Sequence, residues 1–338
     1  MNPDYWSYCE QMLPMVSRTF ALNIRALRGD LHRAVLLAYL WCRILDTVED
    51  APKFPADQKV LLLEEFADQF GSEQCDETWL EHWIQQLSQL DGDPAELNLI
   101  QNAGKVAHCF NQLKAKDRLT IIPSVLCMAK GMAEFQKREG LGQTLFLTDE
   151  ADLDQYCYYV AGTVGEMLTG LFLPRLSGQA ERETLQQHAV SFGLALQITN
   201  ITKDVMVDVG RGWSYVPLSI LDRAGLSPEA FMKNECPEKN VTVVRLMAEK
   251  ANGHLQDAFR YTMAIPRRNR RIRLFCLWPL WMAAQTMGML CQPNFQHEIG
   301  VSPKITRREV RSILRFTSAW FWSNGTLRRD FQRRMSLG

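Results

Sequence analysis

Apolar residues recur at three- and four-residue intervals along most of this chain, the spacing that places them on one face of an α-helix. Residues 31–49, LHRAVLLAYLWCRILDTVE, are apolar nearly all round, which predicts a helix enclosed by others. Pro52 and Pro55 end it. Residues 58–70 and 77–90 are amphipathic. Long helices are predicted over 96–113, 122–138, 152–173, 181–209, 241–265 and 268–291, and another over 306–322. No segment alternates apolar and polar residues between hairpin turns. The expected fold class is therefore all-α. Without a repeat, a low-complexity tract or a linker, the expected organisation is a single domain over 1–338. It divides into a main bundle over 1–300 and a basic amphipathic C-terminal segment over 301–338.

Charge and composition narrow this picture. Lys plus Arg and Asp plus Glu each number 38, so the net charge is zero and gives no sign of a nucleic-acid partner. Residues 1–20 carry Asp4, Glu10 and Arg18 without an apolar run, unlike a signal peptide. The longest uncharged stretch, 274–291, is short for a membrane span and contains Pro279, Gln285 and Gly288, so it reads as a buried core helix. Nine scattered cysteines without a Cys-x-x-Cys pair suit reduced thiols, and a cytoplasmic location is expected. The six histidines are also dispersed, which argues against a zinc site.

Two acidic constellations carry the chemistry. Asp46 and Asp50 are four residues apart on one helix face, with Glu49 beside them. Three acids at a helix C-terminus oppose the helix dipole and need solvent or a cation; both readings fit. Asn200, Asp204 and Asp208 are spaced i, i+4, i+8, and Gln197 extends their stripe backwards. At 1.5 Å per residue the stripe from Asn200 to Asp208 spans about 12 Å. Ile201, Val205, Val207 and Val209 make the rest of that helix apolar, so the stripe must face water, a cation or a ligand. Two such stripes on facing helices would offer only oxygen donors, the set preferred by Mg²⁺, which bridges carboxylates to phosphates. Ser17-Arg18-Thr19-Phe20, Arg43, Lys203 and Gly210-Arg211-Gly212 place cations next to both acidic motifs.

These residues resemble the squalene/phytoene synthase family, and within it the squalene synthase branch. Ser17-Arg18-Thr19-Phe20-Ala21 resembles its mobile flap. The run from Tyr39 to Asp50 resembles its first aspartate-rich motif, and Gln197 to Asp208 with Arg211 the second. Tyr156 to Gly165 resembles the central Tyr-x-x-Val-Ala-Gly helix. The resemblance runs from about Tyr8 to Cys291. It implies the isoprenoid synthase fold around one central cavity, and head-to-head condensation of two farnesyl diphosphates through presqualene diphosphate. It further implies Mg²⁺ and NADPH as cofactors. Asp46, Glu49, Asp50, Asn200, Asp204 and Asp208 are the implied metal-binding residues. Ser17, Arg18, Phe20, Arg43, Gln197, Lys203, Arg211 and Phe275 are the implied substrate-binding residues. Tyr159, Tyr39 and Arg43 are the implied catalytic residues, Tyr159 by assisting proton loss or stabilising a cation.

Whether the chain also reduces its intermediate is less directly written. The Asp-Thr-Val-Glu-Asp form and Phe275-Cys276-Leu277-Trp278-Pro279 resemble the reducing members, whereas Tyr215-Val216-Pro217 looks like the phytoene type. No Gly-x-Gly-x-x-Gly fingerprint is present. The rivals are a member that releases presqualene diphosphate or dehydrosqualene without reduction, a terpene cyclase, and a non-catalytic assembly protein. From Lys304 onward nine Lys or Arg stand against Glu309 and Asp330, with Trp320, Phe321, Trp322, Leu327 and Phe331 interleaved. That segment reads either as a helix packed on the bundle or as a peripheral membrane contact on anionic lipid. The basic run 267–273 reads as membrane-facing or as a contact for the NADPH 2′-phosphate.

Overall fold

The computed structural model describes residues 3–51, 53–71, 74–139, 146–292, 295 and 298–335. Among them are seventeen α-helices and no strand, the all-α class that the periodicity predicts. The chain forms two compact units: Met1–Gly142 with Glu166–Pro174, and Gln143–Gly165 with Arg175–Gly338.

The first unit contains α1 (Pro3–Val16), α2 (Arg18–Ile24), α3 (Gly29–Glu49), α4 (Ala56–Gln69), α5 (Glu77–Gln86), α6 (Pro94–Gln101), α7 (Ala103–Asn111) and α8 (Ala115–Glu139). Helix α3 is apolar all round because α1, α4, α6, α7 and α8 all pack on it. Trp41 lies at the centre, with ring centroids 4.9 Å from Phe70 and 5.8 Å from Phe66. Phe66 and Phe70 stack at 4.8 Å. Trp83 is fully buried, and its indole N–H donates to the Leu62 carbonyl at 2.9 Å. Aromatic pairs of this kind add about 0.5–1.5 kcal/mol each beyond area burial. They fix α3, and so aim its acidic end. Where one helix is predicted over 96–113, the chain breaks at Asn102, whose side chain donates to the Asn98 carbonyl. Asn competes with helical hydrogen bonding in this way.

The second unit begins with α9 (Glu150–Cys157), continues through one π-helical turn (Tyr158–Gly162) and enters α10 (Thr163–Phe172), whose later residues belong to the first unit. A single regular helix is predicted here, and the π turn interrupts it. Helix α11 (Gln179–Arg211) follows, then α12 (Leu218–Ala224), α13 (Pro228–Met232), α14 (Pro237–Ala264), α15 (Arg270–Leu290), α16 (Arg307–Trp320) and α17 (Asn324–Met335). Helices α11 and α14 pair along their length. Gly212, at φ +86°, ends α11 in the left-handed conformation that glycine adopts without strain. Gly165 and Gly193 let α11 approach the π turn closely: a Cβ on Gly193 would lie 2.1 Å from the Ala161 carbonyl oxygen, and one on Gly165 2.1 Å from that of Ala189.

Helix α17 packs inward. Phe331 stacks on Phe259 at 4.8 Å and meets Trp281 at 5.5 Å. The buried Asp330 carboxylate accepts from the Trp281 indole and the Arg334 guanidinium, each at 2.8 Å. Arg273 is likewise buried at 1% exposure and donates to the Met263 and Ile265 carbonyls at the end of α14 and to Asn324. This member of the basic run is therefore a structural cap, neither membrane-facing nor open to a phosphate. No helix among the described residues is long and apolar enough to cross a membrane.

Candidate active-site residues

In the first unit, three helices, α2, α3 and α6, bring a polar group together. Ser17 caps α2, its Oγ accepting the Phe20 N–H at 3.2 Å. Phe20 lies 5.4 Å from the Tyr39 ring. Burial raises the Tyr39 phenol above its usual pKa, and both Ser17 and Arg43 hydrogen-bond its hydroxyl, the latter at 3.4 Å. Arg43, one turn further along α3, reaches Glu96 of α6 at 3.4 Å and Asp46 at 3.9 Å. Burial works against the Arg43 charge, but Asp46, Tyr39 and Glu96 outweigh it and hold the guanidinium charged. Among the described residues its buried Nε has no hydrogen-bond partner, although its terminal nitrogens do. A buried N–H left in this way costs about 1–3 kcal/mol unless a ligand takes it.

Asp46 is recessed but open, with about a third of its side chain exposed. Burial pushes its carboxyl up to about 7; Arg43 opposes the rise, and Asp50 and Glu96 add to it. Glu96 is also raised, first by burial, with Asp93 and Asp50 contributing and Arg43 opposing. Asp50 is exposed at the end of α3, whereas Glu49 is buried. Arg18 starts α2; its side chain lies outside the described residues. Glu96 is the functional candidate that the sequence reading missed. It lies 53 residues from Arg43 on another helix, and no local spacing ties it to the motif.

In the second unit, Gln197, Asn200, Lys203, Asp204 and Asp208 lie along the open side of α11, Asn200 exposed and the others half-buried. Lys203 Nζ is 2.9 Å from Asp204, and the Ser302 hydroxyl donates to the other carboxylate oxygen of Asp204. Ser302, also missed from sequence, arrives because the Gly300 N–H donates to the Met206 carbonyl at 2.9 Å. Arg211 is exposed in the last turn of α11. Tyr159 is half-buried on the π turn, and its hydroxyl accepts from Gln155 at 3.2 Å. A second polar group pins α9 against α14: Asp154 accepts from Lys250 at 2.5 Å and lies 3.5 Å from His254. Phe275 is buried on α15 at 5% exposure.

Among the described residues no three His, Cys, Asp or Glu side chains converge closely enough to enclose a metal. The donors that are present, hard carboxylates and one amide next to basic residues, suit a different kind of ion. Mg²⁺ takes one or two carboxylates and completes its octahedron with water and phosphate oxygens.

The family model for squalene/phytoene synthase matches residues 13–309. This chain belongs to the squalene/phytoene synthase family. It is 31% identical to squalene synthase 1 of Arabidopsis thaliana over 306 residues, covering 88% of this chain and 68% of that protein. It is 32% identical to the squalene synthase of Nicotiana benthamiana, covering 88% and 67%, and 29% identical to that of Rattus norvegicus, covering 87% and 65%. The chain thus spans about two thirds of the length of these family members. Among solved structures, TcSQS in complex with the ligand E5700 superposes with a TM-score of 0.82 at 26% identity, covering 99% of this chain and 92% of that one. A dehydrosqualene synthase at 19% identity shares the fold, with a TM-score of 0.66. The all-α isoprenoid synthase fold of the family is therefore the fold of this chain.

Proposed function

We propose that this chain is a squalene synthase, which condenses two farnesyl diphosphates to presqualene diphosphate and reduces that intermediate to squalene with NADPH. The observation that carries the reading is the α3 group: a charged Arg43 with an orphaned buried Nε, beside the open, recessed carboxyl of Asp46. Such a group suits an anion and a cation together, as a metal diphosphate is. The identity to plant squalene synthases over 88% of the chain supports the same reading.

In this proposal Asp46 and Asp50 with Glu49, and Asn200, Asp204 and Asp208, would hold Mg²⁺, directly or through water. Bound there, Mg²⁺ would neutralise charge developing on the leaving diphosphate. Arg43, Lys203 and Arg211, with Arg18 of the flap, would bind diphosphate oxygens, and Ser17, Tyr39 and Gln197 would orient them. Departure of diphosphate leaves an allylic cation, which the C2–C3 double bond of the second farnesyl chain attacks. Loss of a proton then closes the cyclopropane. Tyr159 would face that proton or cation; an aromatic face stabilises a desolvated cation by about 2 kcal/mol or more. The π turn and the Gln155 hydrogen bond fix its hydroxyl.

The reductive half needs a hydride donor and exclusion of water, for which Phe20 and Phe275 supply apolar surface. Of the basic run, Arg267, Arg268, Arg270 and Arg271 are exposed and fit a 2′-phosphate by charge. The phytoene-type Tyr215, stacked at 4.6 Å on Tyr156, favours a second reading in which the product is not reduced. Incubation of the purified protein with farnesyl diphosphate and Mg²⁺, with and without NADPH, tests both. Squalene that appears only with NADPH is the expected result. A C30 product unaffected by NADPH supports the second reading, and no C30 product refutes both.

A further inference from the structure

The C-terminal basic segment divides into two helices, both with exposed arginines, that differ in how much they bury. Helix α17 buries Leu327, Phe331, Asp330 and Arg334. Helix α16 buries only Ile313 and Thr317 and exposes Arg307, Arg308, Arg311 and Arg315. Arg308, Arg311 and Arg315 follow one another at helical spacing on a single exposed face, with Ser312 between them. With Phe316 they line a groove. The one acid of the helix, Glu309, is committed to the capping box with Thr306 and to Gln285. Arg308, Arg311 and Arg315 make no ion pair with an acid among the described residues.

At the C-terminal end of the same helix stand two large apolar side chains in water. Trp320 is 40% and Trp322 50% exposed, with rings 5.6 Å apart. Arg270 covers the neighbouring Phe321 ring at 5.0 Å. An unpaired arginine column that ends in an exposed indole pair is the composition of an interfacial helix. Indoles favour the headgroup depth of a bilayer, and arginines favour anionic headgroups. A single-stranded nucleic acid would engage the same arginines and stack its bases on the indoles, but the zero net charge of the chain offers such a polyanion no wider attraction.

We infer that α16 is a docking face for an anionic lipid bilayer, with Arg308, Arg311 and Arg315 on phosphate headgroups and Trp320 and Trp322 at the interface. Helix α17, which also exposes Arg328 and Arg329, anchors α16 to the fold. The docking itself is independent of the catalytic reading. Only its use, the delivery of a C30 hydrocarbon directly into lipid, rests on that reading.

The test is co-sedimentation of the full chain with vesicles of phosphatidylcholine containing phosphatidylglycerol, compared with phosphatidylcholine alone, in the absence of substrate. Binding should require the anionic lipid and weaken as salt rises. Replacing all three arginines, R308Q/R311Q/R315Q, should weaken partitioning on the order of 100-fold, since each basic contact contributes about a factor of five. These positions are exposed, and an unchanged melting temperature verifies the fold. W320F/W322F should abolish the blue shift of tryptophan fluorescence on vesicle addition. Farnesyl diphosphate turnover in detergent should be unchanged in both variants. Equal vesicle binding by the arginine variant overturns the proposal, as does binding of polyuridylate without binding of vesicles. Absence of C30 product alongside normal vesicle binding refutes the catalytic reading alone.

Discussion

The crossing of α11 over the π turn holds Tyr159, and Gly193→Ala tests that geometry. The added methyl would start 2.1 Å from the Ala161 carbonyl oxygen and 2.8 Å from the Gly162 nitrogen, both backbone atoms. Real Cβ atoms essentially never come within 3.0 Å, so the two elements must separate by roughly 1 Å. Overpacking of this kind costs about 1–3 kcal/mol. A rigid backbone cannot swing aside, which puts the expected cost at the upper end. The better helix propensity of alanine returns up to about 1 kcal/mol, leaving a net loss of about 2 kcal/mol. For a cooperative unit of this size that lowers the melting temperature by about 4–8 °C. Turnover should fall more than stability, because a displacement of about 1 Å at a reacting group can cost on the order of 100-fold in rate. Gly104→Ala in α7 is the matched control: nothing lies within 4 Å of its Cβ, and a gain of about 0.5–1 kcal/mol is expected. Thermal unfolding and product formation from farnesyl diphosphate are the measurements. If Gly193→Ala melts with the parent and turns over normally, the close crossing does not position Tyr159.

Asp46→Asn or Asp204→Asn should lower kcat roughly 100-fold or more with little change in melting temperature; near-normal turnover in either would remove these acids from the reaction. Glu96→Gln should cost about 10–100-fold in turnover, as supporting partners of metal and anion sites do, and steady-state kinetics with a thermal melt would separate this from misfolding. Phe275→Ala should leave presqualene diphosphate formation largely intact and divert product from squalene to hydroxylated C30 alcohols. It should also cost about 3–5 kcal/mol of stability, so product ratios are read on protein verified as folded. Burial opposes ionisation of Asp330, but Arg334, Trp281 and Arg333 outweigh it and hold its carboxyl below the usual range. The stabilisation is therefore present above the unfolded carboxylate pKa of about 3.9. It is lost as pH falls through the lower folded value. Denaturant melts from pH 5 to pH 2 should show a shallower acid loss in Asp330→Asn than in the parent, and identical slopes would contradict the network.

The long helices were legible because each buries an apolar stripe of 3.6-residue period, and α3 and α11 carried that signal most strongly. The misses share a cause. Helix α17 is short and rich in polar residues, so only tertiary contacts, such as Phe331 on Phe259 and Trp281, decide for the packed helix between the two readings of the C-terminal segment. The π turn at Tyr158–Gly162 spans five residues, too few for its one-residue offset to stand out in apolar periodicity. The fate of Arg273 was hidden for a related reason. Within a run of five arginines nothing local distinguishes the one whose guanidinium caps the end of the preceding helix.

The site divides along the same line. Asp46 with Arg43, and Asp204 with Lys203, could be read from sequence because each pair shares a helix, where spacing dictates which side chains are neighbours. Glu96 and Ser302 could not, because each arrives from a different element. Yet these two change the chemistry of the pairs they join. Glu96 turns the Arg43 guanidinium from a partner of one carboxylate into a bridge between two, while leaving its Nε unpaired. Ser302 gives the Asp204 carboxylate a neutral donor on one oxygen while Lys203 holds the other, which fixes the plane of that carboxylate. Local spacing thus identifies which groups carry the charge, whereas tertiary structure decides how many partners each has and so which of them is left to meet a ligand.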